Sequence, residues 1–306
     1  MAVKIIKDEK LQWINIDSND AEGIEYLRKN FNFHDLDIED IRGESHTPKI
    51  DTYKNYLFLV IQIPSWSNLS QTVISQEVNI FLSENFVITI EHNKTKEMKY
   101  IFYRCLKNRS VRKDWMSKDS GYLFYRIIES LFHDSQPILN NLGRQLSLIE
   151  DQIFNKEPNV DVIRELASYR RNILLFRRIL DPQRYLVSNL SHIRKGFLTE
   201  ENSLYFDDIS DYLTKLWSIV EAYKETVQGL HVTVESLINQ RTNKVIGALT
   251  VISVALLPLN LLSGIYGMNI TALPYAQHPY LVWVMFLSLA TLILLIIAIM
   301  RKKKYI

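Results

Sequence analysis

The stretch Asn243–Asn269, which reads NKVIGALTVISVALLPLNLLSGIYGMN, decides the class to which this chain belongs. It opens a longer segment, Val245 to Met300, that contains no Asp, Glu, Lys or Arg, whereas charged residues are frequent from Lys4 to Lys244. A segment without charges is suited to lipid, because a charge within a bilayer is costly. The sequence therefore predicts a water-soluble region followed by a membrane-inserted one.

Two parts of the charge-free segment have the length of a membrane span. The first covers residues 245–265 and the second residues 280–300, with a short uncharged link between them. A helix of about 20 residues crosses a hydrocarbon core of roughly 30 Å. Arg241 and Lys244 precede the first span and a basic tail follows the second. Because positively charged flanks face the cytoplasm, we expect a multi-pass protein of the cell inner (plasma) membrane with both termini cytoplasmic.

Polar and small residues recur along one face of the first span. In steps of three or four, this stripe contains Asn243, Ile246, Thr250, Ser253, Leu257, Asn260 and Gly264. The period places the stripe on one side of a helix. Close helix packing explains Gly247 and Ser253 equally well, but the amide of Asn260 costs several kcal/mol in hydrocarbon without a partner. Since two helices cannot enclose a water-filled path, a pore lined by this stripe needs several copies of the chain.

The region before the first span begins with strand-like runs. They cover Leu57–Ile63, Val78–Leu82 and Phe86–Ile90, with a turn at 83–85 between the last two. These runs predict a hairpin within a sheet.

After Gly121 the apolar residues take a helical period. A run from Val160 to Ile193 is interrupted by Pro182, and the longest run begins near Ser203. The predicted organisation is an α/β cytoplasmic domain at 1–120, a helical part at 121–202, a long stalk helix at 203–269 with its membrane part at 245–265, an outer loop at 270–279, a second transmembrane helix at 280–300 and a basic tail at 301–306.

No group of residues points to catalysis. The seven His residues form no HxxH pair, no Gly-rich phosphate loop is present, and the acidic run from Asp35 to Asp40 is typical of a solvated helix start. Lys and Arg number 36 against 34 Asp and Glu, which gives no reason to expect a nucleic-acid partner. Cys105 is the only cysteine, which excludes an intrachain disulfide and predicts a core residue. We therefore expect neither an enzyme nor a bound cofactor.

The residues Tyr266-Gly267-Met268-Asn269 end the first span, and in this position they resemble the signature of the CorA family of divalent metal ion transporters. The whole stretch Asn243–Asn269 resembles the pore helix of that family. Earlier in the chain, the segments that resemble the family pattern are Leu36-Asp37-Ile38-Glu39-Asp40, Pro48-Lys49-Ile50 and Tyr56-Leu57-Phe58. The resemblance implies a homopentamer with a funnel-shaped cytoplasmic α/β domain, a long stalk helix and a two-helix transmembrane hairpin.

The resemblance also implies roles for individual residues. Gly267, Met268 and Asn269 would form the selectivity filter, and the stripe from Asn243 to Gly264 would line the pore. A ring of Asn269 amides would bind a metal ion through the water molecules that the ion carries, since small dications release water reluctantly. The predicted function is a channel for magnesium, with cobalt or nickel as further ions.

Two other functions stay open. The outer loop Leu273–Pro279 has no acidic residue, and in this it resembles the zinc-transporting ZntB branch of the family more than the magnesium-transporting members. The other alternative is a membrane-anchored binding or signalling protein whose hairpin is only an anchor. That alternative predicts a first span without a pattern, and the stripe that leads to Asn269 argues against it.

Overall fold

A computed structural model describes residues 3–8, 11–43, 47–92, 96–155, 160–268 and 278–302 of the chain. The structure divides into two compact units, Met1–Leu230 and His231–Ile306. The first unit contains a sheet and most of the helices, and the second contains the apolar segment that the sequence assigns to the membrane.

The first unit is built on a six-stranded sheet. In chain order its strands are β1 (Val3–Asp8), β2 (Leu11–Asp17), β3 (Lys49–Thr52), β4 (Leu57–Ser67), β5 (Thr72–Leu82) and β6 (Phe86–Glu91). Their spatial order is β1-β2-β6-β5-β4-β3, in which β2 and β6 are parallel and the other neighbours are antiparallel. The predicted hairpin of β5 and β6 is confirmed, and β4 extends four residues beyond the predicted end at Ile63.

Seven helices lie entirely within the described part of this unit. They are α1 (Ala21–Asn30), α2 (Asp35–Asp40), α3 (Lys96–Lys107), α4 (Arg109–Trp115), α5 (Ser120–His133), α6 (Gln136–Asn155) and α7 (Val160–Leu190). Side-chain caps start several of them; the carboxylate of Asp119 accepts a hydrogen bond from the Tyr122 N–H at 2.7 Å.

The predicted interruption of α7 at Pro182 is wrong, because the helix continues through this residue to Leu190. A proline inside a helix removes one backbone hydrogen bond and bends the chain. Buried neighbours on both sides, Leu180 and Leu186, keep the helix packed across that position.

Helices cover both faces of the sheet. Successive residues of a strand point to opposite faces, so Ile14 and Ile16 of β2 pack with Ile24 of α1. On the other face, the ring of Trp13 contacts that of Phe102 in α3 with centroids 5.0 Å apart. Both faces are therefore dry, which is the α/β arrangement that the sequence predicts.

Two further helices complete the structure, α8 (Glu200–Tyr266) and α9 (Pro279–Lys302). The long stalk helix thus begins three residues before Ser203 and stops before Asn269. Within the described residues, α8 is the one helix that is long and apolar enough to cross a membrane, and no part of its apolar stretch is buried. The residues Tyr280–Leu295 of α9 form a shorter apolar helix, and the two-span topology stays a prediction.

Candidate functional site

The predicted pore-lining stripe lies on an exposed face of α8 in the second unit. All seven residues of the stripe are exposed in the single chain: Asn243, Ile246, Thr250, Ser253, Leu257, Asn260 and Gly264.

The opposite face of α8 packs against α9. Ala255 and Leu259 are half-buried and, with Ala290 and Leu294 of α9, contribute to the lining of an apolar cavity of about 320 Å³. At roughly 100° per residue, Ala255 lies about half a turn from Ser253, and Ile252, which lines the same cavity, lies about a quarter of a turn from it. The second apolar helix therefore covers one side of α8 and leaves the polar stripe uncovered on the other side.

Polar groups of the stripe keep free hydrogen-bonding capacity within the described residues. The Thr250 hydroxyl donates to the Ile246 carbonyl at 2.8 Å, so its oxygen retains only acceptor capacity toward the outside. Over the described ranges, the amides of Asn243 and Asn260 have no hydrogen-bond partner. The stripe thus presents neutral oxygens and no formal charge, a chemistry that suits the water shell of a small dication.

The C-terminal end of α8 leads into the predicted filter. The Gly267 N–H donates to the Ser263 carbonyl at 2.9 Å, and the Met268 N–H donates to the Ile265 carbonyl at 3.3 Å. A Cβ at Gly267 would lie 2.9 Å from the Ser263 oxygen, which is too close for an ordinary side chain. A backbone this close requires glycine at position 267.

The other glycines of this segment are less constrained within the chain. A Cβ built at Gly264 or at Gly247 meets no atom within 4 Å. Met268 is exposed. Asn269, the predicted metal-binding residue, and the loop 270–277 lie outside the described residues.

Groups that bind a metal ion directly are not assembled in the part of the chain that the structure covers. No cluster of three or more His, Cys, Asp or Glu side chains there is placed to hold a metal ion. The His278 side chain is exposed. The candidate site is therefore the neutral stripe of α8, whose oxygens suit the predicted binding of an ion through its water molecules.

The acidic run at the start of α2 contains a buried residue that the sequence interpretation missed. Asp37 is 1% exposed, and its carboxylate accepts hydrogen bonds from the Tyr53 and Tyr56 hydroxyls at 2.8 Å each. Burial raises the pKa of Asp37, and the two tyrosine hydrogen bonds act in the opposite direction. The interpretation of the run as a solvated helix start is wrong for Asp37, because two tyrosines far along the chain reach it.

The same segment ties α2 to the edge of the sheet. The Lys49 ammonium lies 2.7 Å from the Asp40 carboxylate and 2.6 Å from that of Asp51. Lys49 and Asp40 belong to the segments that resemble the CorA pattern, and here they hold α2 on β3. These ion pairs are partly exposed to solvent, so their contribution to the stability of the first unit is small.

Comparison with known proteins places the chain in a family. Residues 8–302 match the family described as CorA-like Mg²⁺ transporter protein. The cobalt/magnesium transport protein CorA of Thermotoga maritima is 24% identical over 295 residues, covering 96% of this chain and 83% of that protein. The zinc transport protein ZntB of Pectobacterium carotovorum is 20% identical over 276 residues, covering 90% of this chain and 82% of that protein.

The fold is also that of a solved transporter. The complete structure of the CorA magnesium transporter from Methanocaldococcus jannaschii superposes with a TM-score of 0.83 at 22% identity, covering 98% of this chain and 93% of that one. The relatives that match the chain are named as transport proteins. Since the match spans nearly the whole sequence, the chain belongs to the CorA-like Mg²⁺ transporter family.

Proposed function

We propose that the chain is one subunit of a homopentameric channel that passes hydrated magnesium, and also cobalt and nickel, through a pore lined by α8. The observation that carries this proposal is the position of the polar stripe opposite the α9 face, with its amides unpaired within the described chain. A membrane helix with such a stripe needs other copies or water to satisfy it. A pore formed by several α8 helices supplies both.

The residues of the stripe divide the pore into polar rings and apolar constrictions. Asn243 and Asn260 form amide rings, and Asn269 forms the outermost ring, where it binds the ion through the ion's own water. Ile246 and Leu257 form apolar rings between them, narrow enough in a closed state to stop a hydrated ion. Such rings bind the hydrated ion without stripping its water, so the ion is held weakly enough to leave.

The ion is driven by the membrane potential, since the stripe carries no acidic residue that would attract cations. Moving one charge through a potential of 100 mV is worth about 2.3 kcal/mol, and a dication gains roughly twice that. With both termini in the cytoplasm, the interior-negative potential pulls cations from the Asn269 end of the pore inward.

Zinc transport is the second candidate function. It is supported by the similarity to the zinc transport protein ZntB and by the absence of acidic residues in the loop 273–279. A zinc carrier of this kind would take up zinc in preference to magnesium.

Ion flux into proteoliposomes separates these functions. The purified chain is reconstituted, and uptake of magnesium and of zinc is measured with and without an imposed potential or pH gradient. We expect magnesium uptake that increases with an interior-negative potential. Uptake of zinc in preference to magnesium would favour the second function, and no uptake of either ion by intact oligomers would contradict both.

A further inference from the structure

Positive charge is concentrated on helices α3 and α4 of the first unit. No Asp or Glu stands between Met98 and Lys113, although the whole chain has 36 Lys and Arg against 34 Asp and Glu. The six cations of this segment are Lys99, Arg104, Lys107, Arg109, Arg112 and Lys113. The near balance of the whole chain, which gives no reason to expect a nucleic-acid partner, is thus accompanied by a local excess of positive charge.

Most of these cations are not neutralised by the protein itself. Asp114, the first acid after the segment, lies 3.5 Å from the guanidinium of Arg126 on α5 instead. Within the described residues, no ion pair is formed by five of the six cations, which are Arg104, Lys107, Arg109, Arg112 and Lys113. Unpaired cations in such a group are available to an external anion.

The cations of the two helices lie in one region of the surface. Burial raises the pKa of the Cys105 thiol to about 11, and the guanidinium groups of Arg104 on α3 and Arg112 on α4 are both close enough to act in the opposite direction. Arg109 and Lys113 stand four positions apart on α4, a spacing at which like charges repel and weaken a helix. A bound polyanion would relieve this repulsion.

Two tyrosines share the exposed face of α3 with its cations. Tyr100 is 67% exposed and Tyr103 is 41% exposed. At roughly 100° per residue, Tyr100, Tyr103, Arg104 and Lys107 fall within an arc of about 100°. The Lys4 ammonium lies 4.8 Å from the centre of the Tyr103 ring and adds a further cation to this face. Positive charges and aromatic rings therefore occur side by side.

The other sides of α3 and α4 are packed on the sheet. Met98 and Phe102 of α3 are fully buried, and the Phe102 ring contacts that of Trp13. Trp115 of α4 stacks on the same Trp13 ring with centroids 6.0 Å apart. This packing holds the cations and tyrosines on a preorganised support. It also leaves the apolar face of α3 unavailable for insertion into a membrane.

We propose that single-stranded nucleic acid binds to a basic surface of the first unit, formed by Tyr100, Tyr103, Arg104, Lys107, Arg109, Arg112 and Lys113. Lysine and arginine bind the phosphates of such a strand, and exposed aromatic rings stack on its bases. A protein partner fits less well, because the centres of protein interfaces are depleted of charge. A lipid surface fits less well, because a helix that lies on a membrane needs a free apolar face. The proposal depends neither on the ion nor on the pore.

Fluorescence anisotropy of a labelled RNA strand tests this surface. The full-length protein in neutral detergent is titrated into unstructured single-stranded RNA of about 20 nucleotides at several salt concentrations. Because each phosphate contact releases counterions, the logarithm of the affinity should fall with the logarithm of the salt concentration with a slope of about −3. Arg104→Glu combined with Lys107→Glu should weaken binding about tenfold or more. The matched control is Arg170→Glu combined with Arg171→Glu, which makes the same change of charge at exposed positions of α7 and should bind as wild type does.

A second pair of variants keeps the test independent of charge reversal. Arg109→Gln combined with Lys113→Gln removes two charges without adding acids, and it should also weaken binding several-fold. Thermal unfolding of each variant checks that the chain remains folded. Equal affinity in both of these α3 and α4 variants and in wild type, or an affinity that does not change with salt, would overturn the basic surface as the site.

Tyr100→Ala separates a nucleic acid from an acidic protein segment. The RNA affinity should fall several-fold in this variant, because a base loses the ring on which it stacks. Polyglutamate of similar length is the competing probe, and it should displace the RNA only weakly. Polyglutamate that competes as well as unlabelled RNA, with Tyr100→Ala binding as wild type does, would overturn nucleic acid as the partner and favour an acidic protein segment.

Discussion

Asparagine side chains differ between the two units in burial and in hydrogen bonding. The pairs compared are Asn172 and Asn202 in the first unit and Asn243 and Asn260 in the second. The first two are 2% exposed, and each has a partner within the chain: a backbone N–H for Asn172 and the Asp119 carboxylate, at 3.0 Å, for Asn202. The second two are exposed and have no hydrogen-bond partner in the described residues. The two amides of the first unit are satisfied within the chain, and the two of the second unit are left for water, ions or further subunits.

This difference predicts a different kind of defect for a substitution in each unit. In the first unit an amide is part of the fold, so its loss lowers the free energy of unfolding. In the second unit an amide is part of a surface, so its loss changes what that surface binds and leaves the folded chain intact.

The largest effect is expected for Asn260→Leu. This variant replaces a polar ring of the proposed pore by an apolar one and should reduce magnesium flux about tenfold or more, because hydrated ions lose the oxygens that face them. The measurement is uptake into proteoliposomes at equal amounts of oligomer. Ser288→Leu on α9 is the control; its hydroxyl donates to the Met285 carbonyl within the helix, so flux should persist. Equal flux in Asn260→Leu and wild type would remove Asn260 from the pathway.

Gly267→Ala should reduce flux several-fold. The new Cβ would lie 2.9 Å from the Ser263 carbonyl oxygen, so the end of α8 must shift where the filter begins. Gly247→Ala is the matched variant earlier in the same helix and outside the polar stripe, where the added Cβ meets no atom within 4 Å. Proteoliposome uptake of both variants checks the prediction, which fails if they conduct alike.

Asn202→Leu tests the role of a buried amide in the first unit. The variant removes the amide donor from the Asp119 carboxylate in a buried position, which should lower the free energy of unfolding by about 1–3 kcal/mol. Thermal unfolding of the detergent-solubilised protein measures the lower Tm. Leu204→Asn, on an exposed position of the same helix, should leave the Tm nearly unchanged. An unaltered Tm in Asn202→Leu would show that this hydrogen bond does not hold the fold.

The smallest effect concerns Glu91, a buried acid of the first unit. One carboxylate oxygen accepts a hydrogen bond from Asn15 at 3.3 Å and the other has no partner in the described structure. Burial raises the pKa of Glu91 above the value of about 4.3 in an unfolded chain. The folded protein therefore binds this proton more tightly, and its stability falls as pH rises from about 4.3 through the raised pKa.

Glu91→Gln should remove this dependence on pH. The variant should have the higher Tm at pH 7, and the difference should shrink as pH falls and the wild-type carboxyl becomes protonated. Thermal unfolding between pH 4 and 8 measures both curves. A variant that is less stable at pH 7 by as much as at pH 4 would show that the Glu91 charge does not weaken the fold.

The sequence predicts local features of the fold better than distant ones. The β5–β6 hairpin follows from a polar turn between two apolar runs. The parallel pairing of Gln12 with Phe86 joins residues far apart in the chain, and no local sequence pattern predicts it. The burial of Asp37 depends in the same way on Tyr53 and Tyr56, so an acidic run that looks solvated contains a core residue.

The candidate site is predictable for a different reason. A period of three to four residues fixes which side chains of one helix share a face, so the stripe of α8 could be derived without knowledge of its surroundings. In the proposed pore the partners of that face are other copies of the chain, and a single chain does not show their positions.

Accessibility of cysteines placed on the two faces of α8 tests the central claim most directly. Ser253→Cys lies on the exposed stripe and Ala255→Cys on the face against α9, in a chain whose one native cysteine is buried. A water-soluble, charged thiol reagent is added to proteoliposomes during magnesium uptake. We expect the reagent to block flux through Ser253→Cys and to leave flux through Ala255→Cys unchanged. Equal block of both variants, or block of Ala255→Cys alone, would contradict a pore lined by this stripe.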